Sequence, residues 1–582
     1  MRGRDPIGYV VSIESNQVTL NIKDTHKGHL ASHRFGVSSV TEVNGFLGVD
    51  GGTKILVLRT KSMSFFEPKE IHRTLSTVTQ YNLLPLRQIT ANVIGWLSSQ
   101  IGQRPLFTVD SLASPSLGAE AYPLSPEELA AIVSPISELE GNLTLGTDCR
   151  SGVSLRVDLN DFLARHIAVL GSTGQGKSCF SAALMQQLVR LPSPRIVIFD
   201  INGEFEPAFQ ELSTEEKKIT HLGGRVNPYK IPYYALGRHG LSRLFLPSEK
   251  TQRPAFAFAL ESLPYIEWVE DGQGVALADD PDDVCLFDDC RPGNAQESFE
   301  AIERLRSRHQ LTFASKWPPL AALPALIAES HSIKQTNRGY ERDSFLYSNV
   351  SPLITRIKRF IDDPLFNDVV DTNGMQSGTS GALDWREAGK ELVDDIFGNN
   401  NSRWKLHIIN LKDVAHDLMP FILGSLLELF AFELFRRGQG NTYPTLLVLE
   451  EAHHYLRQLP EDEGMKGNLA YERLAKEGRK YGVGLWISTQ RPSEVSDTVL
   501  SQCGTWAVFR LTSEYDQRTV GSAAEWIDRI ELSRIAGLPR QQALIFGSGI
   551  PVPVRIKAPM ASPLPKSRDP NFSLWTTAAE FE

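Results

Sequence analysis

One eight-residue segment, residues 171–178, constrains the fold of this chain more than any other. Its sequence, Gly-Ser-Thr-Gly-Gln-Gly-Lys-Ser, matches the pattern glycine, four residues, glycine, lysine, serine. An apolar run at 167–170 precedes it, and residues 179–189 have the composition of a helix. Strand, loop and helix in this order are the context in which such a loop wraps phosphate groups. The alternative, a chance glycine-rich turn, does not account for both flanking elements.

The residue types of this loop suit a nucleoside triphosphate with Mg²⁺. Glycines let main-chain N–H groups turn inward around phosphate oxygens, and the helix start adds a positive dipole. Lys177 is predicted to reach the β and γ phosphates, and the Ser178 hydroxyl to bind Mg²⁺. The predicted nucleotide contacts are Gly171, Ser172, Thr173, Gly174, Gln175, Gly176, Lys177, Ser178 and Cys179.

A second motif ends another apolar run with two acids, Glu450 and Glu451. At a strand end that faces the phosphate loop, Glu450 is predicted to hold Mg²⁺ through water. Glu451 is then the predicted base for the attacking water, which is a weak nucleophile at neutral pH. The alternative is a pair of acids that stabilise the dipole of a helix start.

Two further strand ends carry candidate groups for the same site. The run 486–490 ends in Gln490, whose amide is predicted to sense the γ-phosphate or orient the water; ordinary strand-end polarity is the alternative. Asp200 follows the apolar run 195–199, and with Glu204 it is predicted to reach the Mg²⁺ shell. We expect its strand to lie beside that of the phosphate loop. The same segment is also typical of a plain turn.

The segment 471–480 is predicted to be a short helix with several basic residues. Arg479, at its end, is the first candidate for an arginine that enters a neighbouring subunit's site and neutralises charge in the transition state. Arg473 is the second candidate. A solvated helix face is the alternative.

Apolar runs alternate with helical patterns from about residue 150, which predicts a parallel sheet covered on both faces. About two hundred residues between the second and third runs fit a helical insertion. Short alternating stretches before residue 145 predict a small β-sandwich or barrel. The predicted core strands are 166–170, 195–199, 406–411, 445–449, 484–488, 506–511 and 552–557.

The bulk composition excludes several classes of protein. A net charge of −9 argues against a surface coated with nucleic-acid-binding charge, although a local basic channel stays possible. No run of eighteen apolar residues predicts a membrane span, and the first residues lack the apolar core of a secretion signal. The five scattered cysteines are expected to be free thiols in a reducing cytoplasm.

Taken together, these motifs resemble the HerA branch of the HerA–FtsK superfamily of hexameric ATPases. The resemblance rests on GSTGQGKS, FDINGEF, LLVLEEAHHYL, ERLAKEGRKYGVGLWISTQRPSEV and TWAVFRLTSEYD, in this order. It implies an α/β fold: a RecA-like phosphate-loop ATPase with a parallel sheet, a helical insertion and a small N-terminal β-barrel. The predicted domains are the barrel and linker at 1–145, the ATPase core at 146–234 and 400–560, the mainly helical insertion at 235–399, and a tail at 561–582.

The resemblance also implies roles and partners. Lys177 and Ser178 would carry ATP with Mg²⁺, Glu451 would be the catalytic acid, Gln490 the sensor and Arg479 the arginine supplied in trans. Members form homo-hexameric rings that thread double-stranded DNA and commonly work with a nuclease. The chain departs from the pattern at Glu450, where aspartate is commoner, and in the pair at 541–542, where relatives often carry glycine.

Two hypotheses from different classes follow. The first is an ATP-driven translocase or helicase of double-stranded DNA that acts with a nuclease or other effector, in DNA end processing or antiphage defence. The second is an ATP-binding ring scaffold that gates an effector, either a nuclease or an NAD-consuming, sirtuin-like protein. A conjugation-type secretion ATPase is disfavoured because no membrane element is predicted. The basic candidates for a DNA-lined pore stay open: Lys217, Lys218, Arg225, Arg356, Lys358 and Arg359.

Overall fold

The computed structural model describes most of the chain, with gaps. The described residues are 5–14, 17–23, 30–33, 36–39, 42–66, 86–98, 104–134, 142–224, 228–248, 250–269, 274–279, 295–307, 311–374, 383–457, 470–524 and 529–566. Arg225, Cys285, Cys290 and most of the predicted tail lie outside them. Cys149, Cys179 and Cys503 carry free thiols, as predicted.

The N-terminal region forms a closed β-barrel. Its strands and one following helix are β1 Gly8–Glu14, β2 Gln17–Ile22, β3 Leu30–His33, β4 Gly36–Ser39, β5 Phe46–Asp50, β6 Ile55–Phe66, β7 Leu86–Ser98, β8 Leu106–Val109, β9 Glu120–Pro123 and α1 Pro126–Val133. Six strands pair in the order β2-β1-β9-β5-β6-β7, and β7 returns to β2, which closes the barrel; β8 also pairs with β7, and β3 and β4 form a separate pair. Closure removes exposed strand edges, so the predicted small barrel is confirmed.

The next segment supplies the first half of the ATPase sheet. Its elements are β10 Asn142–Asp148, β11 Ser154–Asp158, α2 Leu159–Leu163, β12 His166–Leu170, α3 Lys177–Leu188, β13 Ile196–Asp200 and β14 Lys217–His221. Strands β12 and β13 are buried along their whole length, as strands covered on both faces must be. Ser181 of α3 accepts a hydrogen bond from the indole of Trp486 at 3.1 Å, which fixes α3 on one face of the sheet.

The middle of the chain is mainly helical, as predicted, with three small β-pairs. Its elements are β15 Ile231–Pro232, α4 Gly237–Phe245, α5 Gln252–Ser262, β16 Ile266–Val269, β17 Gly274–Leu277, α6 Ala295–Ser307, α7 Ala322–Ser332, β18 Ile333–Thr336, β19 Gly339–Arg342, α8 Ser344–Ile361, α9 Pro364–Asn367, β20 Val370–Asp371 and α10 Trp385–Phe397. Apolar side chains of these helices join the core that covers the second face of the sheet.

The last segment completes the sheet. Its elements are β21 Leu406–Asn410, α11 Met419–Arg437, β22 Thr445–Leu449, α12 Ala470–Glu477, β23 Val483–Thr489, α13 Asp497–Ser501, β24 Cys503–Val508, α14 Glu514–Ala523, α15 Arg529–Arg534, β25 Gln542–Gly547 and β26 Val554–Lys557. The seven predicted strands are present, two of them (β12 and β22) with the predicted ends and five with shifted ends, while β10, β11, β14 and β25 were not predicted.

Among the described residues, eleven strands form one sheet in the order β11-β10-β26-β25-β24-β12-β23-β22-β13-β21-β14. The strands from β24 to β14 run parallel, and the four at the other end are antiparallel. The expectation that Asp200 ends a strand beside that of the phosphate loop is therefore wrong. Strands β23 and β22 lie between β12 and β13, because crossover connections let consecutive strands lie apart in a sheet. The α/β fold with a parallel sheet is confirmed.

Candidate nucleotide site

The predicted phosphate loop connects β12 to α3 at the carboxyl end of the central strands. Gly171 has a φ of 154°, and a Cβ there would lie 2.5 Å from the Cβ of Phe509. Gly176, with a φ of 112°, precedes the first residue of α3. Both glycines are needed because the loop must turn in conformations that other residues adopt only with strain. The loop thus places main-chain N–H groups at a helix start, where anions bind.

Neighbouring segments hold this loop in place. The Gly171 N–H donates to the Thr489 carbonyl at 3.3 Å, and the Ser172 N–H donates to that of Arg510 at 2.8 Å. From the other side, Arg540 Nε donates to the Gly174 carbonyl at 2.7 Å. Anchored on both sides, the loop is preorganised for a ligand, which lowers the entropy cost of binding.

Lys177 is buried at the first position of α3. Its Nζ donates to the carbonyls of Gly171 at 2.7 Å and Ser172 at 3.2 Å, so the ammonium lies over the loop. Burial lowers the pKa of Lys177, and the charges of Glu451, Glu450 and Glu204 oppose this shift. Lys177 and these three acids therefore interact electrostatically within one site.

Glu450 directly follows β22 and is buried. Burial raises the pKa of its carboxyl to about 8, with Lys177 acting in the opposite direction. Its Oε1 is buried and has no hydrogen-bond partner among the described residues. A buried polar oxygen without a partner is costly, so a ligand such as a metal-bound water would stabilise this group.

Glu451 has a left-handed backbone, with φ 45° and ψ 47°, which is strained for a residue with a side chain. The turn directs Glu451 into the cavity that contains the phosphate loop. Burial raises the pKa of its carboxyl, and Lys177 opposes this shift. His453 Nδ1 lies 3.4 Å from Glu451 Oε2 and 3.0 Å from Thr489 Oγ1.

The end of β23 links these acids to the phosphate loop. The hydroxyl of Thr173 donates to the side-chain oxygen of Gln490. Thr489 accepts from the main chain of Gly171 and contacts His453 through its side chain. The amide of Gln490 is therefore held between the loop and the strand end, and its role as a sensor stays a prediction.

The side chains of Asp200 and Glu204 have different surroundings: Asp200 is bonded within its own turn, and Glu204 reaches the cavity. Both carboxylate oxygens of Asp200 accept main-chain N–H groups of its own turn, from Glu204 at 3.0 Å and Phe205 at 2.9 Å. Glu204 lines the nucleotide cavity; burial raises the pKa of its carboxyl, and a hydrogen bond with Ser178 opposes this shift. The role of Asp200 as a metal ligand remains a prediction, and Glu204 is the closer of the two acids to the loop.

The cavity has a volume of about 590 Å³, within the range of ligand sites. It brings together Thr173, Gly174, Gly176, Lys177, Ser178, Cys179, Asn202, Glu204, Pro207, Glu451, Arg540, Gln541, Met560, Leu564, Pro565 and Lys566. The residues after 540 had not been predicted as part of the site. The only sequence signal was the unusual pair at 541–542. Gln541 has a φ of 61°, a left-handed conformation for which glycine is the usual residue.

The candidate arginines lie far from this cavity. Arg479 is on a short helix, Gly478–Tyr481, that precedes β23, whereas the loop lies at the opposite, carboxyl end of the strands. It lines a separate groove together with Lys476 and Lys480. Arg473 is engaged within the chain, 3.6 Å from Glu477 and stacked over Phe435.

Three of the proposed pore residues have partners within the chain. Lys217 donates to the Phe209 carbonyl at 3.0 Å, Lys218 pairs with Asp395, and Arg356 donates to the Phe245 carbonyl at 2.8 Å. No group of three or more His, Cys, Asp or Glu residues suited to a metal ion occurs in the described ranges. None of the helices described here is long and apolar enough to cross a membrane.

Comparisons with known proteins agree with this site. Residues 141–310 match the family described as helicase HerA, central domain. A probable helicase of Methanocaldococcus jannaschii is 23% identical over 555 residues, which cover 92% of this chain and 88% of that protein. The DNA double-strand break repair helicase HerA of Pyrococcus furiosus is 24% identical over 70% of this chain and 67% of its own length.

Among solved structures, VirB4 of Thermoanaerobacter pseudethanolicus superposes with a TM-score of 0.46 and 14% identity, over 73% of this chain and 98% of that one. The Methanocaldococcus jannaschii relative covers enough of this chain to include part of the barrel as well as the ATPase core, and the matched family begins at the first strand of the core sheet. The match to the HerA central domain and the similarity to HerA helicases over most of the chain, together with this loop and this pair of acids, support a HerA-type ATPase.

Proposed function

We propose that this ATPase is an ATP-driven translocase of double-stranded DNA that works as a homo-hexamer with a nuclease or another effector. The observation that carries the proposal is the placement of Glu451 opposite Lys177 in the cavity of the phosphate loop. Such a pair suits hydrolysis, since one group binds the phosphates and the other activates water. The DNA substrate is inferred from relatives that are DNA double-strand break repair helicases.

Nucleotide binding is assigned to the loop and its helix. Main-chain N–H groups of residues 173–179 surround the phosphates, since those of Gly171 and Ser172 already donate to carbonyls within the fold. Lys177 exchanges its carbonyl partners for the β and γ phosphates. The Ser178 hydroxyl and the unpartnered oxygen of Glu450 fit Mg²⁺, which prefers few protein oxygens and keeps several waters. When bound, Mg²⁺ supplies charge neutralisation at the phosphates.

Hydrolysis is assigned to Glu451 and Gln490. The Glu451 carboxylate accepts a proton from the attacking water, and its raised pKa brings its basicity closer to that needed near neutral pH. Gln490, held by Thr173, orients that water or contacts the γ-phosphate. The strained backbone of Glu451 fixes the direction of the carboxylate, so little reorganisation is needed during reaction.

Arg479 is assigned to the site of a neighbouring subunit. It lies at the amino end of the strands, and its own phosphate loop lies at the carboxyl end. A head-to-tail ring brings one edge of each subunit against the other edge of the next, which would place Arg479 near the neighbour's γ-phosphate. Arg473 is less suited because Glu477 and Phe435 already hold its guanidinium.

The test is the steady-state ATPase rate with and without linear double-stranded DNA, combined with displacement of a protein roadblock from that DNA. We expect DNA to raise the rate several-fold and the roadblock to be displaced. Both effects should disappear in Glu451→Gln and weaken as salt rises, because contacts to the phosphate backbone release counterions. A rate that DNA leaves unchanged, but a copurifying effector raises, would overturn the translocase in favour of the gating scaffold.

A further inference from the structure

Two large apolar side chains beside the phosphate loop are exposed to solvent. Met560 is 52% and Leu564 is 54% exposed, and both line the nucleotide cavity with Cys179. Pro207 and Pro565 extend the same apolar surface. Exposed apolar surface inside a cavity is unfavourable in water and favours a ligand with an apolar face.

Hydrogen bonds at several points anchor the segment 560–566, which carries Met560 and Leu564. The Gln186 side chain of α3 donates to the Ala208 carbonyl at 2.8 Å and to the Pro563 carbonyl at 2.9 Å. The Ser562 N–H donates to the same amide at 2.9 Å. At its far end the Lys566 N–H donates to the Glu204 carbonyl at 2.8 Å. The segment 560–566, called the wall below, is thus an anchored part of the cavity lining.

The position of this wall relative to the phosphate groups indicates what it contacts. Thr173 and Lys177 interact with Gln490 and Glu451, so the terminal phosphate belongs on their side. The sulfur of Met560 lies 3.9 Å from the sulfur of Cys179, the residue after Ser178. The nucleoside must therefore leave the loop on the Cys179 side, beside the wall.

We propose that Met560 and Leu564 form a nucleobase subsite and that a purine ring packs against their side chains. This inference rests on the proposed nucleotide site and deepens it. Gln541, which also lines the cavity, is placed to hydrogen-bond the polar edge of the base. Gln186 is a positioning residue, because it touches the wall and not the cavity. The wall follows the phosphate loop by about 380 residues in the chain, yet both are parts of one site.

The test separates the base from the phosphates with two probes, ATPγS and inorganic tripolyphosphate, each measured by calorimetry with Mg²⁺. We expect the double variant Met560→Ser with Leu564→Ser to weaken ATPγS binding about tenfold or more, because burial of two apolar side chains is lost. Tripolyphosphate binding should stay unchanged. Met63→Ser with Leu112→Ser, which alters exposed residues of the barrel region, is the matched control and should change neither.

Three other results would contradict the proposal. Unchanged ATPγS binding in the double variant would overturn the subsite, and an equal loss of both probes would show that the wall only supports the loop. Wild-type protein that binds neither probe would overturn the nucleotide site itself.

For Gln186→Ala we expect KM for ATP to rise with kcat nearly constant, since the wall is displaced while the catalytic groups are not. A fall in kcat alone would contradict its positioning role.

Discussion

Glu450 and Glu451 are consecutive in the chain but differ in their surroundings. The Glu450 side chain is buried behind the cavity, and burial raises the pKa of its carboxyl to about 8. The Glu451 side chain is turned into the cavity by a left-handed backbone. One strand end therefore places two consecutive acids in different surroundings, because the left-handed backbone at Glu451 changes the direction of the chain.

At Glu450 we expect a pH dependence of stability. The folded pKa of about 8 lies above the ordinary value of 4.5, so the unfolded chain ionises first and rising pH favours unfolding across this interval. Without nucleotide and with EDTA, Glu450→Gln should raise the melting temperature at pH 8 by at least about 2 °C and by less at pH 5. Thermal melts at both pH values measure this. An equal shift at both values would show that ionisation of Glu450 is not the cause.

At Gly171 we expect a steric effect. A Cβ would approach that of Phe509 to 2.5 Å, and the backbone φ is also unfavourable. Gly171→Ala should lower the free energy of unfolding by at least about 2 kcal/mol. Gly52→Ala is the control, since Gly52 has a φ of 85° but open space around it, and should cost only about 1 kcal/mol. Equal losses in denaturant melts would mean that the contact with Phe509 is unimportant.

At the scale of elements, the sequence predicts those strands best that are buried throughout. Strands β12 and β22 have the predicted ends, because each is a continuous apolar run covered on both faces. Strand β14 was missed since it lies at the sheet edge and begins with two lysines. Strand β25 was also missed. Strand order escaped prediction, as the position of β13 shows, because it depends on long-range pairing.

The candidate site likewise has a part that could be predicted from the sequence and a part that could not. Its phosphate half could be predicted, because the loop and the acids are local patterns at strand ends. The wall formed by Met560 and Leu564 could not, because neither residue has a chemistry of its own and folding alone places them beside the loop. The segment 529–542 was likewise not predicted to bridge two parts of the molecule.

At the scale of the whole molecule, that segment contacts the barrel at one end and the phosphate loop at the other. Glu531 of α15 pairs with Arg59 of the barrel, and both side chains are largely buried. Arg540 and the Gln541 N–H contact the loop carbonyls of Gly174 and Gln175. Arg150 of the core adds a 2.9 Å hydrogen bond to the Val43 carbonyl. The segment 529–542 therefore links the barrel to the nucleotide site.

We expect this joint to stabilise the protein. Glu531→Gln should lower the free energy of unfolding by about 1–3 kcal/mol, because a largely buried guanidinium loses its charged partner. Glu514→Gln, which breaks the exposed pair with Arg518, is the matched control and should have no measurable effect. Denaturant melts of both variants give the comparison. Equal effects would show that the buried pair contributes no more than a surface pair.

The most direct test of the account is the ATP turnover of Glu451→Gln, because the central claim is that this carboxylate primes water opposite Lys177. We expect kcat to fall by roughly 10²–10⁴-fold, as for loss of a general base, with ATPγS binding retained. Lys177→Ala should abolish turnover together with binding. Undiminished ATP hydrolysis by purified Glu451→Gln would contradict the account.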